Sequence, residues 1–215
     1  LLHEISKMKD QWHSQLQINA RIKWPLSLLI TEEVFELYNQ IWQFLLLIKR
    51  VQMELNDCYM ILTKSSNGSN IVRSRQQQLH MIMNFLVDHI WYYLGVDVIG
   101  AQFSEFESLL DKCQSFQACK VQHEQFLMRI HKSMFLGKSG QVVRATLLKL
   151  LDIIMTFTHV VRTEQIDTYL HEIDQHWRRQ MTLFWNLLEN SADRELSVLC
   201  LRIDYNGWFS RAPTY

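Results

Sequence analysis

The chain has 215 residues, 48% of them hydrophobic and 20% charged, and its 22 basic side chains balance 22 acidic ones. That composition fits a packed globular protein, one large domain or two small ones, able to bury roughly 70% of its unfolded surface. Balanced charge argues against a general electrostatic attraction to nucleic acid or an anionic membrane, and no apolar run approaches the ~18 residues that a membrane span needs.

Six glycines and two prolines leave little turn chemistry for a sheet, so the expected class is mainly α. Four cysteines without a CxxC pair are expected to be reduced, cytosolic and mostly buried thiols. The first residue is Leu1 rather than methionine, and the chain is expected to be a piece of something longer.

Residues 1–13 have the spacing of a short helix. The period then changes: Leu16, Ile18, Ala20, Ile22, Trp24 and Leu26 alternate with polar residues and Pro25. Period two predicts an extended segment with one buried face, which makes Trp24 a core anchor. Pro25 disfavours helical geometry at Trp24, so the extended run should turn or end there.

Thr31 is a suitable N-cap before Glu32 and Glu33, where a helix dipole favours negative charge. Apolar residues from Val34 to Leu55 then follow a 3.6-residue period, predicting a helix over 32–62, ~46 Å long. Residues 63–70 read as a loop and 71–100 as a second long helix. Ser104 and Glu107 have the spacing of a capping box for a short helix through Cys113, and Ser115 is placed to cap the next. Gly137 and Gly140 bracket the end of that helix.

No breaker separates residue 141 from residue 190, which would give a helix of unusual length. A bend or an omitted loop is expected near Thr163. Near the end, Leu199, Leu201, Ile203 and Tyr205 alternate again, and a second extended segment is expected there.

Nine histidines raise the question of a metal. His171 and His176 are five apart and His123 and His131 eight apart, whereas a zincin helix needs His at i and i+4. These histidines read as surface or packing residues, and no metal or other cofactor is expected. Neither a glycine-rich phosphate cradle nor GxSxG nor a P-loop occurs, so nothing local points to an enzyme. The aromatic clusters at 91–93 and 207–209 offer anchors for a partner, although most rings in such a chain belong to the core.

Four stretches in order resemble a known family. "RIKWPLSLLITEEVFELYNQIWQFLLLIKRVQMEL" is similar to the entry of the C-terminal GRIP domain of γ-tubulin complex proteins, with Trp24, Pro25, Leu26, Tyr38, Ile41, Leu45 and Lys49 in the matching places. "LHMIMNFLVDHIWYYL" resembles its Met-x-x-Phe helix, and His123, Phe126 and Leu127 resemble its His-x-x-Phe/Tyr-Leu helix. Leu201 to Asn206 resemble the closing Leu-Arg-Leu-Asp-Phe-Asn stretch. The likeness covers about residues 16–209; it is weakest over 163–190, and the loop at 63–70 is short for the family. The fifth component is the favoured subtype, with the fourth and sixth as alternatives.

The resemblance implies an elongated helical bundle with one or two short extended segments, a single C-terminal domain over residues 1–215 that lacks its start. It implies a structural subunit, not an enzyme, that binds γ-tubulin and positions it to template microtubules. Its partners would be γ-tubulin and other γ-tubulin complex proteins in a large hetero-oligomer at a centrosome or spindle pole, with no nucleic acid or membrane. A helical scaffold that binds other proteins without touching γ-tubulin is the alternative.

Candidate contact residues combine extended backbone with polar or aromatic side chains: Arg21, Lys23, Arg202, Asp204, Tyr205, Asn206 and Trp208. A competing reading pairs 16–24 with 199–205 as an internal ladder, setting Arg21 or Lys23 opposite Asp204.

Overall fold

A computed structural model of the chain describes residues 16–64, 70–191, 194–204 and 207. Among them lie a 3₁₀ turn at Leu26–Leu28 and the helices α1 (Glu32–Lys64), α2 (Asn70–Tyr92), α3 (Ala101–Leu110), α4 (Phe116–Ser133), α5 (Gln141–Arg162), α6 (Ile166–Glu189) and α7 (Arg194–Ile203). A π-helical stretch, Tyr93–Gly100, joins α2 to α3 without interruption, and a 3₁₀ turn at Lys138–Gly140 precedes α5. No strand occurs among the described residues. The mainly α class is observed. The helix expected at 1–13 and most of the loop expected at 63–70 lie outside the described residues.

The chain folds into two compact units that share long helices. Of the described residues, one unit contains those of Ile48–Trp91 and those from Ala145 onward, and the other contains those up to Leu47 and Tyr92–Arg144. In the first unit, α1 buries Ile48, Val51, Leu55, Cys58 and Leu62. Their three-four spacing keeps one stripe of the helix facing inward. Leu79, Met83, Leu86, Val87 and Ile90 of α2 are buried in the same unit, as are Leu147, Leu150, Ile154 and Phe157 of α5 and Trp177 and Phe184 of α6. Polar links tie the helices along this core. The His80 ring is 2.9 Å from the Leu55 carbonyl, Gln52 donates to Asp88, and Arg162 pairs with Glu54 and Asp57.

The second unit is built on the first half of α1, the π stretch, α3 and α4. Val34, Ile41 and Phe44 are buried with Leu127, Ile130, Met134 and Phe135. Tyr93 stacks on Phe135 and donates its hydroxyl to the Ser133 carbonyl, and Phe106 of α3 stacks on Phe126 of α4 at 4.7 Å. Ser115 caps α4 as expected, accepting from the Ala118 N–H at 3.2 Å.

Four expectations need correction. Ser104 and Glu107 do not open a helix, because α3 starts at Ala101 directly from the π stretch and Gly100 lends it no side-chain cap. The helix expected over 71–100 therefore runs on to Leu110, with π geometry replacing a break. The second extended segment does not form: Leu199–Ile203 belong to α7, which buries Leu196, Leu199 and Ile203 and leaves Leu201 73% exposed. Spacing of three and four won over spacing of two. With no strand there, the ladder falls too.

The fourth correction concerns Trp24. Residues 16–23 form no strand or helix, and Leu16, Ile18, Ala20 and Trp24 are all exposed, Trp24 at 79%. Its peptide bond to Pro25 is cis. The alternation does not mark a buried face, and the segment meets α1 through hydrogen bonds between its backbone and α1 side chains. Ile18 N–H donates to Asn39 Oδ1 at 2.6 Å, and Gln43 Nε2 donates to the Leu16 carbonyl at 3.0 Å.

The bend expected near Thr163 is present at Thr163–Gln165, between α5 and α6. Glu164 has φ 57°, its N–H donates to the Val161 carbonyl, and Gln165 N–H donates to that of Val160. That pair of bonds is a Schellman motif with glutamate at the left-handed position where glycine is usual. The end of α4 repeats it, with Phe135 at φ 61° and Leu136 N–H bonded to the His131 carbonyl.

Candidate functional site

The predicted contact residues with described positions fall in both units. In the second unit, Arg21 and Lys23 are exposed on the extended segment and stand just before Trp24, Leu26 and Leu28, which are exposed as well. In the first unit, Arg202 and Asp204 are half-buried at the C-terminal end of α7, where exposed Val198 and Leu201 make one stripe. Tyr205, Asn206 and Trp208 lie outside the described residues.

Sequence reasoning missed Trp24, Leu26 and Leu28 as surface residues. Pro25 was the available signal: a proline before a short 3₁₀ turn gives this tryptophan no regular element on which to pack.

The extended segment runs antiparallel to α1, since residue 16 meets Gln43 and residue 18 meets Asn39. Two residues of extended chain advance about 6.6 Å and one i,i+4 step of helix about 6 Å, so the registers agree. Between segment and helix opens a groove of about 650 Å³, lined by Gln17 and Asn19 on one side and Glu32, Phe35, Glu36 and Gln40 on the other.

The same half of α1 carries half-buried Tyr38, which meets buried His123 of α4. Tyr38 Oη sits 2.9 Å from His123 Nε2, with Phe106 and Phe126 around the imidazole. Burial pushes His123 below the usual histidine range, against the opposing pull of Glu124, and burial raises Tyr38. Both residues carry the family resemblance, and the contact gives the matched positions one packing role.

Among the described residues no group of three or more His, Cys, Asp or Glu is placed to hold a metal. Burial pushes the Cys58 thiol up to about 12, with Arg162 opposing and Glu54 adding, and Cys200 up to about 11, again chiefly by burial. Such thiols are poor nucleophiles at neutral pH. Exposed aromatic, aliphatic and basic side chains on a pinned segment suit non-covalent association instead.

Comparison with known proteins matches residues 2–209 to the family described as "Gamma tubulin complex component C-terminal". Over 208 residues, 92% of this chain, it is 29% identical to gamma-tubulin complex component 4 of Homo sapiens and of Mus musculus. It is 24% identical over 203 residues to spindle pole body component alp4 of Schizosaccharomyces pombe. The chain spans 31% of the length of the two mammalian relatives and 26% of alp4.

Proposed function

Because the chain belongs to the γ-tubulin complex component family by its C-terminal domain, we propose that it binds γ-tubulin directly and fixes the angle at which that subunit templates a microtubule. Positioning is the whole mechanism, and it requires no catalytic group or cofactor. A helical bundle with a close-packed core transmits a defined geometry, since such interiors deform little. In this reading the protein works within a γ-tubulin ring complex beside other family members, at a microtubule-organising centre such as a centrosome or spindle pole.

The observation that carries the reading is the exposed Trp24 with Arg21 and Lys23 beside it. Interface hot spots are enriched in Trp, Tyr and Arg, and a stable grip buries at least ~1,200 Å². The α7 end, with Arg202, Asp204 and exposed Leu201, is a second contact area, continued in sequence by Tyr205, Asn206 and Trp208.

Titration of purified chain with γ-tubulin tests the proposal. We expect saturable binding at micromolar concentration or below, and Trp24→Ala is expected to weaken it at least tenfold. The same substitution should move folding stability by no more than about 0.5 kcal/mol, because the ring is exposed. No capture at micromolar concentration sinks the proposal and favours a scaffold for other proteins.

A further inference from the structure

The turn between α3 and α4 carries two cysteines that the γ-tubulin reading does not use. The two helices form an antiparallel hairpin: Arg129 pairs with Glu105, Phe126 stacks on Phe106 at 4.7 Å, and His123 also meets Phe106. Cys113 lies seven residues beyond Phe106, and Cys119 lies seven residues before Phe126, about two helical turns in each case. Helical winding holds over both intervals. Asp111, Lys112 and Cys113 donate their N–H groups to the carbonyls of Glu107, Leu109 and Leu110, and Cys119 N–H donates to that of Ser115. The register set by the stacked rings therefore brings the two thiols together. Their contact is direct: after burial, a hydrogen bond and charge from the Cys119 side chain raise Cys113 further, while the Cys113 S–H donates to the Leu109 carbonyl at 3.3 Å. Both cysteines are free and half-buried, with exposed Gln114, Ser115, Phe116 and Gln117 between them, so a small solute can reach them.

We propose that Cys113 and Cys119 are a redox modification site, closing to an intrachain disulfide by exchange with a low-molecular-weight disulfide such as glutathione disulfide. One cysteine thiolate attacks a sulfur of glutathione disulfide, which forms a protein–glutathione bond and releases one glutathione thiolate. The second cysteine thiolate attacks the protein sulfur of that bond, closes the Cys113–Cys119 bond and releases the second glutathione. The two protons lost by the cysteines end on the two released glutathiones. The protein is oxidised by two electrons and one glutathione disulfide is reduced, so excess glutathione runs the exchange backwards. The bond ties the end of α3 to the first turns of α4. Cys58 and Cys200 serve as controls within the same chain, since burial pushes their thiols up to about 12 and about 11 and leaves little thiolate to react.

The test incubates the purified chain with glutathione disulfide at pH 7.5, blocks remaining thiols with N-ethylmaleimide at intervals and maps the peptides by mass spectrometry. We expect a product lighter by two hydrogen atoms, with one cross-link joining Cys113 to Cys119 and no glutathione retained. These two thiols should disappear at least tenfold faster than those of Cys58 and Cys200, and excess reduced glutathione should restore them. Cys113→Ser should instead hold glutathione on Cys119, because the second attack has lost its nucleophile. Should that variant not fold, the cross-link and the relative rates in the unmodified chain decide alone. Loss of all four thiols at one rate, lasting glutathione adducts on both cysteines, a cross-link to Cys58 or Cys200, or no loss of the Cys113 and Cys119 thiols would each overturn the proposal.

Discussion

Burial biases His123 toward its neutral form in the folded chain. Burial lowers its affinity for a proton, and Tyr38 hydrogen-bonds its Nε2 atom. A histidine whose folded pKa lies below its unfolded value of about 6.5 binds more protons unfolded than folded. Stability is therefore full above about pH 6.5 and falls as pH drops from there through the lower folded pKa. His131, also lowered by burial with Arg144 adding, contributes in the same direction. The urea midpoint is expected to fall between pH 7.5 and 5.5, and His123→Gln should flatten that dependence; an unchanged slope would refute the assignment. Tyr38→Phe, which leaves the imidazole without its partner, should cost about 1–2 kcal/mol at pH 7.5. Both residues could be picked out by resemblance, but their contact could not. They are 85 positions apart, and periodicity says nothing of what meets across a bundle.

At the scale of elements, the legible parts were those with local chemistry. Acidic residues at the start of α1 and Ser115 before α4 act through hydrogen bonds or dipoles within a turn, so sequence predicts them well. The end of α5 was placed only by its improbable length. Its left-handed residue is Glu164, and a side chain there hides the usual glycine signal. Left-handed backbone costs a non-glycine residue about 1–2 kcal/mol, partly offset by the lower unfolded-state entropy that residue brings. Glu164→Gly is accordingly expected to stabilise the chain by up to about 1 kcal/mol in chemical denaturation, and a loss of stability would contradict that account. The false strand at 199–205 has the opposite cause. Every second residue was apolar, but so were residues at helical spacing, and short runs satisfy both periods.

For the whole molecule, composition already indicated a helical fold without membrane spans, and none of the described helices is long and apolar enough to cross a bilayer. The division into two units was not legible, because α1, α2 and α5 carry unbroken helical patterns into or across the boundary at Leu47–Ile48, Trp91–Tyr92 and Arg144–Ala145. Composition shifts and flexible linkers mark domain edges in sequence, and here continuous helix replaces them. Of the candidate contact residues, Arg21 and Lys23 are exposed, and Trp24, assigned to the core on alternation alone, is exposed beside them.

The π stretch at Tyr93–Gly100 bears on how this chain can tolerate a change of length. A π turn holds more residues than an α turn over the same few ångströms of axis, so it stores surplus chain inside a continuous helix. Tyr93 is fixed at one end by Ser133 and Phe135, and Phe106 beyond the other end is fixed by Phe126. Between these anchors a single-residue deletion at exposed Val96 can be absorbed by tightening to α geometry, whereas the same deletion within α4 would shift every following core position. Deleting Val96 should thus preserve a cooperative melt, and deleting Met128 should abolish it. A change of one residue in chain length thus has an outlet here that needs no loop.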